Sequence, residues 1–254
     1  MHKQLLTLSV LCLLIIASCS KTKNDPEPDK ELTCNVKLVE HTHSHGNANV
    51  TDKYYYSYDN EGRLTRVDYG KEQSAEFETY TYAANKVTWK GVAGDIEVYN
   101  LDANGRITTA VQGKDILNFK YNTDGNLIEA AVDGDIETLT YLNGNLVSAS
   151  FGSSPWSTFT YGVEKADNAI VYSWIYEDKF LDFDEISSRV TPYIGQKSKY
   201  LPSKNITNPG INQSTNDYIY QKNASGKITS VQVSITDAPA IKSTEEYKFT
   251  YECK

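Results

Sequence analysis

The sequence predicts an all-β protein: an antiparallel meander of consecutive hairpins that forms a strongly curved sheet or partly open barrel, with a short helix and long loop inserted near residues 176–214. Three observations predict it. A short motif (aromatic, then Asp or Asn, then Gly, then aliphatic) recurs along the chain. The composition, with 19 tyrosines and a single methionine, suits pleated, half-buried surfaces, which favour aromatic and β-branched residues. Polarity also alternates, so that Phe119 and Tyr121 share one face of a strand while Asn118 and Lys120 share the other.

The motif is clearest at Tyr58-Asp59-Asn60-Glu61-Gly62-Arg63-Leu64. Further copies begin at Leu101 (Asp102, Gly105, Ile107), Tyr121 (Asn122, Gly125, Leu127) and Tyr141 (Asn143, Gly144, Leu146), with a stretched copy from Tyr220 through Gly226 to Ile228 and a degenerate one from Tyr82 to Val87. Each reads as a hairpin turn. Asp and Asn start turns by bonding nearby backbone N–H groups, and Gly supplies the positive φ that a short hairpin loop requires. Asp102-x-Asn104-Gly105 resembles a fragment of a calcium loop, but the closing Glu of an EF-hand is missing and the loop is too short. From Tyr172 to Ser214 the repeat is interrupted. Phe183, Ile186, Val190 and Ile194 fall at helical spacing behind Asp182 or Asp184 as N-cap, and Pro192 ends or kinks that helix. Lys199-Tyr200-Leu201-Pro202-Ser203 and a polar, Asn-rich loop follow.

The N-terminus reads as an address. Leu5 to Ile16 form an apolar run behind Lys3, long enough for a signal-peptide core and shorter than the ~20 residues a spanning helix needs. It ends in Ile16-Ala17-Ser18-Cys19, which resembles the bacterial lipobox. That resemblance implies cleavage before Cys19, lipid (palmitate among the acyl chains) on its thiol and acylation of the new amino group. Two or more acyl chains hold a protein firmly to a bilayer. Ser20 to Glu31 are polar, charged and proline-bearing and read as a flexible tether. The expected organisation is therefore a lipoprotein signal peptide at 1–18, a lipidated tether at 19–31 and one β-hairpin-repeat domain at 32–254.

Two further resemblances concern the body. Tyr58-Asp59-Asn60-Glu61-Gly62-Arg63-Leu64-Thr65-Arg66-Val67 is similar to the YD repeats of Rhs-type shell proteins, though the copies here are too few for a closed cocoon. The lipobox, the polar tether, the aromatic-x-Tyr hairpins and the Gly195…Lys199-Tyr200-Leu201-Pro202 segment together resemble a family of Bacteroidetes lipoproteins of unknown function with a porin-like fold. This implies an envelope lipoprotein of the outer membrane, facing either the periplasm or the exterior, and it implies no catalytic residue. A pore is not expected. Membrane strands need ~9–11 residues and a lipid-facing apolar row, whereas these strands read as five to eight residues carrying charges such as Lys120 and Glu129.

The net charge of −8, with no basic run, excludes nucleic acid as a partner, since its binders cluster Lys and Arg to displace counterions. Cys34 and Cys253 remain after processing, near the start of the first strand and the end of the last. An oxidising compartment permits their pairing, and two unpaired thiols are the alternative. His41, His43 and His45 share one strand face and are weak metal candidates, with a polar strand end as the plainer reading. Glu177, Asp178, Asp182, Asp184 and Glu185 form an acidic cluster that reads as a solvated helix start and could otherwise serve a hydrolase. No nucleophile elbow, P-loop or dinucleotide fingerprint occurs in the sequence, and no cofactor is expected. Trp89, Trp156 and Trp174 are weak candidates for a ligand-binding platform. The functional expectation is a membrane-anchored, non-catalytic binding module for a glycan, a peptide or another envelope component. The alternatives are a structural or protein-interaction lipoprotein and a carboxylate-using hydrolase.

Overall fold

The computed structural model describes residues 34–45, 48–165, 168–176, 181, 191–210, 212–238 and 241–253. The signal peptide, Cys19 and the tether lie outside the described residues, as do the acidic cluster and the helix expected through Phe183, Ile186 and Val190.

Sixteen strands make up the described sheet. In chain order they are β1 (Cys34–His45), β2 (Ala48–Tyr58), β3 (Leu64–Tyr69), β4 (Phe77–Ala83), β5 (Lys86–Lys90), β6 (Ile96–Leu101), β7 (Ile107–Gln112) and β8 (Asp115–Tyr121). They continue as β9 (Leu127–Val132), β10 (Asp135–Leu142), β11 (Asn145–Phe151), β12 (Ser154–Lys165), β13 (Tyr200–Thr207), β14 (Ser214–Lys222), β15 (Ile228–Asp237) and β16 (Ile241–Cys253). Every strand pairs antiparallel with its sequence neighbours, and β1 pairs with β16 from Cys34↔Cys253 to Thr42↔Glu246. The meander is thus a closed barrel, which corrects the expected open or partly open sheet. Closure satisfies both edge ladders, whose unpaired N–H and C=O groups would otherwise be exposed. A disulfide joins Cys34 to Cys253 at this seam. The strands also exceed the expected five to eight residues at β1, β2, β12 and β14–β16, which run from 9 to 13 residues.

The motif turns all lie at one end of the barrel, together with Cys34 and Cys253; we call it the motif end. In the long copies a single Asx side chain organises the loop. Asp59 Oδ1 accepts the Glu61 and Arg63 backbone N–H groups, and Oδ2 accepts Arg63 Nε. Asp102 does the same for Asn104 and Arg106, as do Asn122 and Asn223 for their own loops. The calcium resemblance ends here, because the Asp102 carboxylate is already held by its own turn. Burial opposes ionisation of Asp102, but the Arg106 side chain and the Arg106 and Asn104 backbone N–H groups outweigh it and hold the carboxyl below its usual value. The short copy Asn143-Gly144 is a two-residue turn with both φ positive, 54° and 80°, the condition for a type I′ hairpin.

Consecutive motifs also bind each other. Six tyrosine hydroxyls donate to a carbonyl at or near the start of the preceding strand: Tyr58 to Val36, Tyr82 to Leu64, Tyr121 to Ile107, Tyr161 to Leu146, Tyr220 to Pro202 and Tyr251 to Ile228. The cation of a turn then lies over the tyrosine of the next hairpin, with Arg63 4.5 Å from the Tyr82 centroid, Arg106 4.7 Å from Tyr121 and Lys227 5.9 Å from Tyr251. Asp or Asn and Gly shape each turn, and the Tyr and the Arg or Lys, where a copy carries them, attach it to its neighbour.

Closing sixteen strands at ~4.8 Å spacing and ~40° tilt gives a radius of about 16 Å. Inward side chains alone fill only barrels of about eight strands, so this interior needs more. The segment between β12 and β13 supplies it. Helix α1 (Ala169–Tyr176) buries Val171, Tyr172, Ile175 and Tyr176 inside the barrel, and a 3-10 turn (Thr191–Tyr193) packs beside it. Asn168 caps α1 by accepting from the Ile170 and Val171 N–H groups. The returning chain is bonded to the motif turns: Gln196 N to Gly125 O at 2.9 Å, Lys199 N to Gly144 O at 3.1 Å and Leu146 N to Ser198 Oγ at 3.0 Å.

This corrects the expected insertion near 176–214. Helix α1 precedes it, and Tyr200–Thr207, expected as loop, is strand β13. The α1 sequence Ala-Ile-Val-Tyr-Ser-Trp-Ile-Tyr is rich in β-branched and aromatic residues and reads locally as strand. It is helical because a helix apolar on all sides can be buried within the barrel.

Candidate ligand-binding site

Strand alternation sends one set of side chains inward. On the even strands the inward row repeats: Tyr54, Tyr56 and Tyr58 on β2; Glu78, Tyr80 and Tyr82 on β4; Glu97, Tyr99 and Leu101 on β6; Glu137, Leu139 and Tyr141 on β10; and Glu245, Tyr247, Phe249 and Tyr251 on β16. Glu97 and Glu137 are fully buried, at 0% exposure. Buried carboxylates persist only where donors reach them. Tyr99 donates to Glu97 at 2.5 Å and Trp156 Nε1 to Glu137 at 2.8 Å. Glu78 accepts from Trp89 Nε1 at 2.9 Å, Tyr80 at 2.9 Å and Tyr69 at 3.2 Å. Burial, followed by the adjacent Glu78, pushes the Tyr80 hydroxyl well above its usual pKa, so it stays a donor. Glu245 accepts from Tyr247 at 2.7 Å and lies 3.3 Å from His41 Nε2. These carboxylates were missed in the sequence. Their signal was parity: each Glu stands two residues before an inward aromatic or leucine.

A cavity of about 660 Å³ occupies the barrel interior beside α1. Tyr54, Tyr56, Tyr69, Tyr80, Trp89 and Trp174 supply its aromatic wall, and Asp52, Glu78, Asp95, His41 and His43 its polar groups. Trp174 donates to the Tyr56 hydroxyl at 3.0 Å and meets Tyr54 edge to face at 4.8 Å, while Tyr54 meets Tyr69 in the same way at 5.5 Å. The cavity opens at the end opposite the motif turns, where Val92, Ala93 and Asp95 of the β5–β6 turn are exposed. A second cavity, about 540 Å³, lies toward the motif end beside Cys34, Tyr58, Arg63, Tyr82 and Lys86. Ile170 and Pro192 border both, so α1 and the 3-10 turn stand between them.

The structure divides the predicted site residues. Trp89 and Trp174 line one cavity, whereas Trp156 lies against Phe151 and bonds Glu137 outside that lining. His41 and His43 both reach the cavity, their rings 4.8 Å apart, with His41 stacked on Tyr247 and His43 Nδ1 3.7 Å from Asp52. The His45 side chain lies outside the described residues. Among the described residues no group of three or more His, Cys, Asp or Glu side chains could hold a metal ion.

The outer wall has a different chemistry. Cross-strand ion pairs stand on it at Lys53–Glu40, Lys120–Glu129 and Lys204–Asp217, among Thr138, Thr140, Thr250 and other exposed polar residues. Exposed apolar residues such as Ile116, Ile136 and Ile219 share this outer wall with the ion pairs. The inner wall sets its aromatics beside buried carboxylates.

No family profile and no curated protein matches the sequence. Solved structures do resemble it. A porin-like protein from Bacteroides uniformis superposes with a TM-score of 0.61 at 19% identity, covering 85% of this chain and 98% of that one. A porin-like protein from Bacteroides vulgatus gives a TM-score of 0.46 at 9% identity, covering 87% and 99%. The first likeness is one of fold: an all-β barrel of this topology.

Proposed function

We propose that this protein is a lipid-anchored, non-catalytic binding module of the bacterial envelope that captures a small ligand, such as a glycan or peptide fragment, in the aromatic cavity at its far end. The observation that carries this reading is the cavity itself. Its volume of about 660 Å³ falls within the ~300–1,000 Å³ of small-molecule sites, and such sites favour barrel mouths lined by aromatics with a few polar groups. The lipobox-like Ile16-Ala17-Ser18-Cys19 supports the anchor. The polar residues Ser20 to Glu31 separate Cys19 from the domain that begins at Cys34 in sequence. Glu78 already accepts three hydrogen bonds, which favours holding over catalysis.

The test is a glycan and peptide array probed with intact mature protein, alongside mass spectrometry of its N-terminus. The reading predicts saturable binding to a small set of compounds and a lipidated Cys19. A silent array would demote it below a structural role, and an unmodified Cys19 would remove the anchor.

A further inference from the structure

We infer that the cavity selects an organic cation, an ammonium or guanidinium group carried on an apolar body; this rests on the binding reading above and names its ligand class. Asp52, Glu78 and Asp95 contribute carboxylates to a single concavity, and no lysine or arginine is among its described lining residues. Asp52 and Asp95 reach solvent while Glu78 is buried, so acceptors for a cation stand at the mouth and in the interior, with His43 Nδ1 3.7 Å from Asp52. The wall between the carboxylates is aromatic. The faces of Trp and Tyr attract cations through the ring quadrupole, most strongly where water is excluded. The edge-to-face packing of Tyr69, Tyr54 and Trp174 holds the rings at fixed angles, and Trp174 is fixed further by its bond to Tyr56. Preorganised rings lose little entropy on binding.

The second cavity sharpens the contrast. It is lined by Arg63 and Lys86 and, among the described residues, by no carboxylate. Arg63 there is paired with Asp59 and Glu61, so the two cavities differ in the charged side chains that line them, carboxylates in the first and Arg63 and Lys86 in the second. A cation entering from solvent meets the exposed Asp95 at the rim and then the buried Glu78 beyond it.

The test uses the intact chain and its tryptophan fluorescence, since Trp89 and Trp174 both line the site. Benzyltrimethylammonium and benzylamine are titrated at low salt against two neutral probes, benzyl alcohol and methyl glucoside. The cations should alter the fluorescence saturably and bind at least about tenfold more tightly than benzyl alcohol. The pair Asp52→Asn and Asp95→Asn should abolish that preference while leaving the urea midpoint unchanged. The inference is overturned if benzyl alcohol binds as tightly as the cations, or if the Asn pair leaves cation affinity intact. Binding of methyl glucoside with the cations silent would overturn the cation assignment and leave the binding-module reading standing. Silence toward all four probes and the array would overturn both.

Discussion

Removing the Cys34–Cys253 disulfide tests how the barrel is held shut. The two cysteines are 219 residues apart, so the bond joins the ends of nearly the whole described chain. In the chain-entropy model, cross-linking a loop of that length removes roughly 18 cal/mol/K from the unfolded ensemble, or about 5 kcal/mol at 25 °C. That is an upper value, because real unfolded chains retain structure and the reduced form keeps the β1–β16 hydrogen bonds. With a urea slope of up to ~3 kcal/mol/M, a loss of 3–5 kcal/mol moves the midpoint down by about 1–2 M. The assay compares the protein with the double variant Cys34→Ser, Cys253→Ser, and with the unaltered protein under reductant. Alkylation and mass spectrometry of the two cysteine peptides measure the bond directly. Free thiols at both positions in unreduced protein, or a midpoint shift below about 0.3 M, would refute the reasoning.

Other perturbations probe the motif and the interior. Gly195→Ala should destabilise by at least about 2–3 kcal/mol in urea, because its φ is +79° and an added Cβ would lie 2.7 Å from the Gly125 carbonyl oxygen. Gly226→Ala, with a φ of +80° and nothing within 4 Å, should cost only about 1 kcal/mol; equal costs would contradict the proposed attachment of the insertion to the motif turns. Glu78→Ala removes the acceptor shared by the buried Tyr80 and Trp89 and the half-buried Tyr69 and should cost about 1–3 kcal/mol, with Glu78→Gln milder. Burial raises the pKa of Tyr80, Tyr141 and Tyr176 well above the usual value and also raises that of Tyr172. Their contribution to stability is therefore full below the unfolded tyrosine pKa of ~10 and falls as pH climbs above it. Tyrosinate absorbance during alkaline titration should rise cooperatively with unfolding, and smooth titration in the folded state would contradict their burial.

The local chemistry was legible in the sequence and the global arrangement was not. Asp59, Gly62 and Arg63 announce a hairpin turn because every partner lies within five residues. Phe119 and Tyr121 announce a two-faced strand by parity alone. Closure depends on β1 meeting β16, a pairing between the two ends of the described sheet, and the meander pattern is the same for an open or a closed sheet. Helix α1 was invisible for a related reason. Ala169 to Tyr176 has a strand-like composition, and only the large interior left by sixteen strands makes a wholly apolar helix favourable. Of the three tryptophans, Trp89 and Trp174 share a cavity and Trp156 does not, because β12 and α1 lie on different parts of the interior. The inward glutamates could have been found by combining strand parity with the motif register, since Glu97 and Tyr99 stand on one face.

The proposed ligand enters at the end of the barrel opposite Cys34. Ala93 and Ala84 are exposed turn residues that line the far and the motif-end cavities respectively. The decisive measurement is calorimetric affinity, for the tightest compound from the array or the cation titration, of the unaltered chain, of Ala93→Trp and of Ala84→Trp. Ala93→Trp should weaken binding by about tenfold or more while Ala84→Trp leaves it unchanged, with equal urea midpoints for all three. Unaltered binding by Ala93→Trp, or loss confined to Ala84→Trp, would contradict entry at the far end.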